Sequence, residues 1–532
     1  MLSKNFDIVV YGSTSGAVAA AIQSAKLGRK VALVSPQEHI GGIQIEGLGA
    51  TDIDNQAEFQ NSTTVGGLAL ELHRRISKHY HRLLRLEDVV MTRTKDPEVW
   101  RFEARVAEKV IGEWLDEFSN IELIKGALAS KKAVIKEGSK VLGIKLTNDQ
   151  IVSGQMFIEA SYEGDFLAAA GISTTYGRES SSTYGESLAG VRENTTYTQI
   201  TASIDPYNIP GAPSSGLIHG ISSEPFGTPG DGDKHLAAYS YRVPLTDVPS
   251  NRMPIYKPNG FNPAHYELHR RYVKSGGKLY TPNKRLPGGK TDLIGSEAPL
   301  ATDLLGMNDG WATGSLEERQ RILDETALFT KGLLYFFISD ESLPEEFRAE
   351  WSRFGYCLDE FEDNNHFPRS LYIRDARRMI SSYIITQHTA SLHNGEEPVS
   401  DPVTIAYWPT DTHCVRRILR EGKVHNEGFI FKDGFRWRPF GVSYRALVPK
   451  REEAGNVCTA TTPSCSHVGF GAVRLEHQFY GLGQACANAC DIALREGISL
   501  QDVPYEKLEK RLLEQGMILD VRKVGAPEFP PE

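Results

Sequence analysis

The order of apolar and small residues at the start of the chain predicts a βαβ unit. Residues 6–11 form a short apolar run rich in β-branched side chains, which is typical of a buried parallel strand. Residues 16–27 are rich in alanine with helical spacing, Gly28 follows as a C-terminal cap, and residues 30–35 form a second apolar run. This pattern predicts a Rossmann-type α/β fold at the N-terminus.

The next part of the chain alternates between irregular, helical and strand-like patterns. Residues 39–54 are too irregular for a regular element and too apolar for a solvent-exposed linker, so we expect this glycine-rich loop to wrap a ligand. An amphipathic helix is predicted over residues 97–118 and a strand over residues 121–124. Residues 132–154 predict a small antiparallel meander, and residues 156–161 predict another buried strand.

The remaining segments predict a second, less regular region. Residues 203–290 are rich in glycine and proline, which indicates long loops with short strands. Helices are predicted to dominate residues 316–392, and the last third of the chain predicts short strands followed by a helix over residues 481–496. The sequence shows neither internal repeats nor a clean linker, which favours a discontinuous domain over two domains in tandem.

Length and charge narrow the class of protein. A chain of 532 residues is too long for a single hydrophobic core, so we expect two domains. Hydrophobic residues make up 40% of the chain and charged residues 24%, which is the balance of an ordinary globular protein. The net charge of -9 arises from charges spread along the whole length, so nucleic acid is not an expected partner.

Membrane, export and metal signals are not found in the sequence. The apolar runs fall short of the roughly 18 to 20 residues that a membrane-spanning helix needs. Neither a secretory leader nor a C-terminal targeting signal is visible, so we expect a cytoplasmic protein. The six cysteines are too scattered for a disulfide framework. Cys486 and Cys490 lie on a predicted helix without a further ligand pair, so we predict core residues and no metal site.

A phosphate-binding turn is predicted directly after the first strand. The pattern G-x-G-x-x-G/A is met with Thr14 at its second position and Ala17 at its third. Gly12 permits the tight turn, Ala17 allows close packing of helix on strand, and the helix N-terminus offers N–H groups to a pyrophosphate. The residues assigned to a dinucleotide are Gly12, Ser13, Thr14, Ser15, Gly16 and Ala17.

The end of the second strand departs from the usual dinucleotide pattern. Ser35 replaces the acidic residue that binds ribose hydroxyls, so we expect a weaker ribose contact or one shared with Gln37. The strand is not followed by an arginine that would bind a 2′-phosphate, which does not favour NADP. The later segments GGKT and GLGQAC lack the context of a second nucleotide site, so the enzyme would be reduced by its substrate.

A series of motifs runs in order along nearly the whole chain: VVYGSTSGAVAA, HIGGIQIEGLGATD, FIEASYEGDFLAAAG, YGRESSSTYGES, YSYRVPLTD, LYIRDARRM, HNEGF, YRALVPK, SHVGFGAVRLEH and LGQACANA. These motifs resemble the FAD-dependent oxidoreductase family of the glutathione-reductase-like superfamily, many of whose members carry the label "xanthan lyase". The resemblance implies FAD as cofactor and a discontinuous Rossmann-type FAD-binding domain with an inserted α+β substrate domain. We place the first at residues 1–185 and 440–500, the second at residues 186–439, and a C-terminal helix and tail at residues 501–532.

The resemblance also implies which residues contact FAD. Gly41 and Gly42 would let the loop approach the cofactor, and the segment EASYEGD would lie over it. The segment SHVGFGAVRLEH would return to the flavin ring, where a helix N-terminus near Gly481 would face the pyrimidine side. Beyond the turn, the expected cofactor-binding residues are Ser35, Gln37, Gly41, Gly42, Ala160, Ser161, Gly164, Asp165, Arg474, Glu476, Gly483 and Gln484.

Oxidation of a C–H bond by a flavin needs a base for the proton and a group that holds the substrate. His413 and His467 each lie in a predicted loop and are the candidate bases, with a structural role as the alternative for each. Asp411 could orient His413, pair with Arg416, Arg417 or a substrate cation, or cap a turn. Arg374 and Arg378 would share one face of a helix, where they could clamp a carboxylate or form a salt-bridged surface.

The leading functional hypothesis is an FAD-dependent dehydrogenase or oxidase that passes a hydride from a small organic substrate to flavin N5. A monooxygenase reduced by external NAD(P)H, a non-redox carbohydrate lyase and a flavin-binding scaffold are the alternatives. The net charge of -9 argues against a lyase of acidic sugars, which needs a basic groove. The electron acceptor, an oligomeric state and a covalent link between FAD and His39 stay open at this point.

Overall fold

The computed structural model describes residues 4–56, 59–391, 398–431 and 437–524. The strands are β1 (Lys4–Tyr11), β2 (Val31–Ser35), β3 (Ile121–Lys125), β4 (Val134–Glu137), β5 (Lys140–Lys145), β6 (Ile151–Glu159), β7 (Thr174–Thr175), β8 (Leu245–Thr246), β9 (Arg252–Pro254), β10 (Lys284–Leu286), β11 (Lys290–Thr291), β12 (Gly355–Cys357), β13 (Arg378–Met379), β14 (Pro402–Ala406), β15 (Arg416–Arg420), β16 (Lys423–Glu427), β17 (Phe440–Ser443) and β18 (Val457–Thr459). The helices are α1 (Ser15–Lys26), α2 (Gly67–His79), α3 (Leu83–Thr92), α4 (Ala104–Asp116), α5 (Asp165–Ala169), α6 (Ser181–Tyr184), α7 (Glu267–Lys274), α8 (Leu316–Ser339), α9 (Glu345–Ser352), α10 (Gln387–Ser391), α11 (His467–Val473), α12 (Glu476–Glu496) and α13 (Tyr505–Glu514).

The largest sheet is a Rossmann-type sheet built around β1. Its seven strands run in the order β3-β2-β1-β6-β5-β4, and β18 pairs with β6. Strands β3, β2, β1, β6 and β18 are parallel, whereas β5 and β4 extend the sheet as an antiparallel meander. The predicted α/β fold is therefore confirmed. Because β18 comes from the last part of the chain, segments far apart in sequence build this one sheet.

Helix α1 is buried along most of its length, and it packs closely against α12. The small side chains of the Ala-rich run allow this approach. A Cβ atom added at Gly483 would meet the carbonyl oxygen of Gly16 at 2.3 Å, so the two backbones leave no room for a side chain at that point. Cys486 and Cys490 are buried on α12, as expected for core residues.

A second core lies in the middle of the chain, beside a five-stranded sheet of order β10-β11-β8-β12-β9. Helix α8 begins with a capping box formed by Ser315 and Glu318, and packs large aromatic side chains such as Phe336 and Phe337 into this core. Among the helices of the described ranges, none combines the length and the hydrophobicity that crossing a bilayer requires. Residues 525–532 of the predicted C-terminal tail lie outside the described residues.

The structure corrects several predicted helices. Residues 374–377 belong to neither helix nor strand, and β13 begins at Arg378, so the prediction of one helical face for Arg374 and Arg378 is wrong. Tertiary pairing overrides the helical spacing here, because the N–H of Tyr372 donates to Ser240 and β13 pairs with β7. Of the helical region predicted over residues 316–392, α8 and α9 confirm the first half, and the short α10 is the one described α-helix in the second half.

Two helix starts also differ from the prediction. The helix predicted from residue 97 begins as α4 at Ala104, after a separate short 3₁₀ turn over Pro97–Trp100. The helix predicted from residue 481 begins as α12 at Glu476. Gly481 and Gly483 lie inside α12, because there glycine serves close packing and does not end the helix.

Candidate functional site

The turn between β1 and α1 is fixed by two residues of the predicted phosphate-binding motif. Gly12 has φ = 141°, and a Cβ atom at this position would meet the carbonyl oxygen of Ala160 at 2.0 Å. Thr14 is the N-cap of α1: its hydroxyl accepts from the N–H of Ala17 at 3.3 Å and donates to the carbonyl of Ala160 at 2.8 Å. Threonine at the second glycine position therefore caps the helix and ties the turn to the end of β6.

The glycine-rich loop after β2 folds back on this turn. The N–H groups of Gly41 and Gly42 both donate to the carbonyl of Ser13, at 2.8 and 2.9 Å. Gly42 has φ = 65°, and a Cβ atom there would meet the hydroxyl oxygen of Tyr162 at 2.3 Å. That hydroxyl also accepts from the N–H of Ile43 at 3.1 Å. Tyr162 thus holds the loop against the N-terminal end of α1.

A cavity of about 300 Å³ opens beside the N-terminus of α1. It fits a dinucleotide cofactor because Ser13 and Thr14 of the turn and Gly42 of the glycine-rich loop form part of its wall at the start of α1. Beyond the turn, Leu371 and Ile373 of the central region complete it. The residues on its wall that carry the fit are Ser13, Thr14, Gln37, Gly42, Ser161 and Tyr162.

Charged residues surround one side of this cavity. Arg369 lies 3.1 Å from Glu108 and 3.3 Å from Glu46, and the Nε2 atom of His39 lies 2.9 Å from Asp363. The Nδ1 atom of His39 contacts Glu108. Burial raises the pKa of Glu46 to about 8, although the neighbouring guanidinium of Arg369 lowers it. Both ring nitrogens of His39 are therefore engaged by carboxylates of the protein.

Two of the predicted FAD contacts, Ser35 and Asp165, bind other groups of the protein, whereas Gln37 lines the cavity. The Ser35 hydroxyl is bonded within its own turn: it donates to the carbonyl of Gln37 at 2.5 Å and accepts from that residue's N–H at 3.2 Å. Gln37 itself lines the cavity. The carboxylate of Asp165 is held by Arg319 at 2.5 Å and Arg377 at 2.6 Å, and Gly164 precedes α5 with φ = 68°. A direct contact of Ser35 or Asp165 with FAD stays a prediction.

Of the cofactor residues predicted on α12, Gly483 and Gln484 make contacts within the protein, whereas Glu476 lies beside the phosphate turn. Gln484 accepts from the N–H of Leu68 at 2.9 Å and donates to Gln515 at 2.9 Å, while Gly483 packs against α1. Glu476, by contrast, lies at the start of α12 next to the phosphate turn. Its carboxylate accepts from the hydroxyls of Ser15 at 2.5 Å and Tyr162 at 2.7 Å.

Glu476 is buried, and burial raises the pKa of its carboxyl group to about 7, against the hydrogen bonds from Ser15 and Tyr162 that lower it. Arg474 adds a favourable charge nearby. Burial therefore favours the neutral form of this carboxyl group beside the phosphate turn.

Arg474 joins the cofactor region to the candidate bases. Its Nη1 group donates to the hydroxyl of Tyr372 at 2.9 Å, and its Nε group donates to the carbonyl of Asp411 at 2.9 Å. The Nη2 atom lies 3.4 Å from the carboxylate of Asp411. Tyr372 stands between Leu371 and Ile373 and lines a second, smaller cavity with Asp52 and other residues. Burial raises the pKa of Asp52.

His413 is held between two carboxylates. Its Nδ1 atom lies 2.6 Å from the Oδ2 atom of Asp303, and its Nε2 atom lies 3.7 Å from Asp411. The backbone of His413 is left-handed, with φ = 63°, a conformation that few non-glycine residues adopt. Burial, aided by Arg374, lowers the pKa of His413, so its ring is neutral at pH 7 and can accept a proton.

Arg374 supports this pair through Asp303. Its Nη2 atom lies 3.2 Å from the Oδ1 atom of Asp303, and the guanidinium also donates to Ser240 at 3.1 Å and to the carbonyl of Ala238. Burial works against ionisation of Asp303, but Arg374 and His413 outweigh it and lower the pKa of Asp303 to about 2. Arg374 is therefore engaged in holding a protein carboxylate.

His467 lies at the first position of α11 and not in a loop, with Ser466 as the N-cap. Its Nδ1 atom lies 3.1 Å from the carboxylate of Asp375. Its Nε2 atom is buried and has no hydrogen-bond partner among the described residues. Arg378 donates to Glu179 at 2.7 Å and to a backbone carbonyl, so neither arginine of the predicted pair is a free clamp.

Sequence reasoning missed three residues that shape the site. Tyr162 belongs to the motif FIEASYEGDFLAAAG, but the contact that gives it a role is with Ile43, 119 residues earlier in the chain. Asp303 and Arg369 lie in irregular segments without a recognisable pattern. Their positions follow from tertiary contacts, so neither spacing nor residue type could have indicated them.

A parallel sheet with a phosphate turn at the start of α1 is typical of proteins that bind a dinucleotide. The sequence matches the family described as FAD dependent oxidoreductase over residues 7–512. The chain therefore belongs to this family of FAD-dependent oxidoreductases, and FAD is its cofactor.

Three solved structures show local similarity. The GidA-related protein from Thermus thermophilus is 13% identical over 30% of this chain and 53% of its own, with a TM-score of 0.19. L-proline dehydrogenase from P. horikoshii is 16% identical over 34% of this chain and 59% of its own, with a TM-score of 0.25. Thioredoxin reductase from Lactococcus lactis is 15% identical over 29% of this chain and 35% of its own, with a TM-score of 0.18. Each alignment thus spans less than two thirds of the solved chain. No curated protein matches the sequence.

Proposed function

We propose that the protein is a dehydrogenase or oxidase that removes a hydride from a small organic substrate. Bound FAD supplies the hydride acceptor at its N5 atom. The observation that carries this proposal is the buried pair of His413 and Asp303, at 2.6 Å, behind the side chains that adjoin the cofactor cavity. A neutral histidine held by a carboxylate is suited to take the proton that accompanies hydride loss.

The contacts of His413 suggest a role for each of its charged neighbours. Asp303 binds Nδ1, so the proton of the neutral ring stays on that nitrogen and Nε2 is left as the acceptor. Asp411 lies near Nε2 and stabilises the ring after it has gained a proton. Arg374 is a positioning residue, because it acts on the ring only through Asp303. His467, oriented by Asp375, is the second candidate base.

Arg474 and Tyr372 connect this pair to the cofactor. Arg474 contacts Asp411 on one side and Tyr372 on the other, and the neighbours of Tyr372 line the cofactor cavity. We propose that the substrate binds in the larger cavity, beside Leu371 and Ile373, with its reacting group directed toward Tyr372 and Arg474. A substrate placed there would be within reach of both the flavin and His413.

The cofactor contacts belong to the same proposal. We propose that residues 12–17 bind the pyrophosphate and that Gln37, Gly41, Gly42, Ser161 and Glu476 contact FAD, with Ser35, Ala160, Gly164, Asp165, Gly483 and Gln484 acting through the backbone or by shaping the walls. We also propose the division into residues 1–185 with 440–500, residues 186–439 and residues 501–532. The position of β18 in the main sheet and the separate core around α8 support it.

The test is anaerobic reduction of the FAD-loaded enzyme by a panel of amines, alcohols and hydroxy acids. Bleaching of the visible flavin band by a panel member without NAD(P)H is the expected result. Bleaching by NAD(P)H alone would indicate a monooxygenase, and a flavin that neither reductant bleaches would overturn the oxidoreductase mechanism proposed here.

The matched variants are His413→Gln and His235→Gln. His413→Gln should slow flavin reduction by about 10² to 10⁴-fold, because the proton acceptor is lost. His235 also contacts an aspartate at 2.6 Å, Asp309, and is the control for a lost histidine–aspartate pair. Equal rates in the two variants would remove His413 from the mechanism.

A further inference from the structure

A small cavity in the central region is lined by basic side chains and apolar residues. Three histidines, His219, His265 and His269, face it together with Arg417. Its other polar side chain is the carboxylate of Asp303, and the rest of the wall is formed by leucine, alanine, glycine and phenylalanine. The volume of about 10 Å³ is room for one small occupant.

Arg417 is a buried cation without a counter-ion. Its side chain donates to Asn426 at 2.7 Å and to the backbone carbonyls of Gly220 and Pro299, each at 3.3 Å. All three acceptors are neutral, and the guanidinium has five N–H groups, so two are left over. In the described part of the chain Arg417 forms no ion pair. Burial lowers its pKa to about 10, which leaves it charged at pH 7.

The nearest carboxylate cannot neutralise Arg417. Asp303 lies 3.2 Å from Arg374 and 2.6 Å from His413, so its single negative charge is balanced by Arg374. The preceding residue, Arg416, is also buried, but its charge is paired with the carboxylate of Glu427 at 3.0 Å. Since a buried charge is costly unless it is paired, one negative charge is missing beside Arg417.

The histidines supply further donors. His269 is 4% exposed, and neither of its ring nitrogens has a hydrogen-bond partner among the described residues. The rings of His219 and His265 stack with centroids 4.1 Å apart. Burial lowers the pKa of His269 to about 3 and that of His219 to about 4, so both rings are neutral at pH 7. A neutral ring still has one N–H group to donate.

We propose that this cavity binds a small inorganic monoanion of the halide class, held by the free N–H groups of Arg417 and a ring N–H of His269. The anion provides the charge that Arg417 lacks, and the apolar part of the wall suits a weakly hydrated halide. The small volume of the cavity favours a single-atom anion over sulfate or phosphate. Asp303 faces the same space, and the positive charge of Arg374 beside it offsets part of its repulsion of the anion.

Anomalous diffraction locates the anion directly. Crystals of the FAD-loaded protein grown in sodium bromide should show a bromide peak within hydrogen-bonding distance of Arg417 and His269. A cavity that holds only water, or bromide peaks confined to the protein surface, would overturn the proposal.

Thermal unfolding shows whether the anion is bound in solution. At equal ionic strength, the melting temperature should be about 1 to 3 °C higher in sodium chloride than in sodium gluconate. Arg417→Met should abolish this difference. The matched control Arg416→Met breaks the pair with Glu427 and should lower the melting temperature in both salts while keeping the difference.

His269→Phe keeps the aromatic packing of the ring and removes its donor, so it tests the same site if Arg417→Met does not fold. It should also lose the chloride-specific shift. The proposal fails if the wild-type protein melts at the same temperature in both salts, or if the folded variants of Arg417 and His269 keep the shift.

Discussion

The Nδ1 atom of His413 lies 2.6 Å from the Oδ2 atom of Asp303, a residue 110 positions earlier in the chain. This contact fixes the ring of His413 and joins it to Arg374 through the same carboxylate. A histidine that has an unusual left-handed backbone and a carboxylate partner is held in one orientation, which proton transfer requires.

The Asp303→Asn variant tests this relationship. Asparagine leaves Arg374 without its counter-charge and no longer fixes the proton on Nδ1 of His413, so we expect flavin reduction to slow by about 10²-fold or more. The FAD content of the folded protein should not change. Rapid-mixing absorbance under anaerobic conditions measures the rate. Asp309→Asn, which breaks the corresponding contact of His235, is the control; similar rates in the two variants would contradict a special role for Asp303.

The local sequence pattern was sufficient to predict the part of the fold around the phosphate turn. The first strand, α1 and the turn between them depend on residues adjacent in sequence, so Gly12 and Ala17 could be assigned from their spacing. Gly41 and Gly42 likewise meet the turn through short-range folding of one loop. The parallel sheet followed from the apolar runs.

The contacts around His413, where we propose that the substrate reacts, could not be predicted from local pattern. Arg374 has helical spacing to Arg378, yet strand pairing and the contact of Tyr372 with Ser240 hold the segment extended. Asp303 has no local signal, and its role comes from His413 and Arg374 in distant segments. Contacts of this kind are set by tertiary packing, which overrides local preference.

Replacing Gly12 by alanine should impair FAD binding. The added Cβ atom would meet the carbonyl oxygen of Ala160 at 2.0 Å, so the turn must move away from β6 and lose its shape. We expect FAD affinity to fall by at least about tenfold, a loss of roughly 1.4 kcal/mol. Titration of the apoprotein with FAD, followed by quenching of flavin fluorescence, measures this change.

Gly28→Ala is the matched control for this substitution. Gly28 also has a positive φ, of 80°, but a Cβ atom there would meet nothing within 4 Å. Backbone strain should lower stability by about 1 kcal/mol while FAD affinity stays at the wild-type value. An equal loss of affinity in both variants would mean that strain, and not the contact with Ala160, determines the effect.

The stability of the apoprotein should depend on pH through Glu476. Burial raises its pKa in the folded protein to about 7, above the value of about 4.3 for an exposed glutamate. Between these values the folded state holds a proton that the unfolded state releases, so the contribution of Glu476 to stability falls as the pH rises from about 4.3 to about 7. Outside this window its contribution is constant.

Glu476→Gln removes this titration, since glutamine resembles the protonated form. The free energy of unfolding of the variant minus that of the wild type should rise by up to about 3 kcal/mol across the window. Urea unfolding at several pH values measures the difference. Glu46 and Glu159, whose pKa values burial raises to about 8, titrate in both proteins and cancel. A difference that is independent of pH would show that Glu476 is charged throughout.

The Gly483→Ala substitution tests whether Gly483 serves helix packing or contacts the cofactor. In the structure a Cβ atom at this position would meet the carbonyl oxygen of Gly16 at 2.3 Å, so Gly483→Ala should push α12 away from α1 and destabilise the fold by about 1 to 3 kcal/mol. Gly112→Ala is the control, because Gly112 lies exposed within α4 with nothing within 4 Å of its Cβ position. Alanine there should stabilise the protein by about 0.5 to 1 kcal/mol, as its helix propensity exceeds that of glycine. Chemical unfolding of the apoprotein measures both changes. If Gly483→Ala unfolds like the wild-type apoprotein but no longer binds FAD, Gly483 contacts the cofactor and its packing role is wrong.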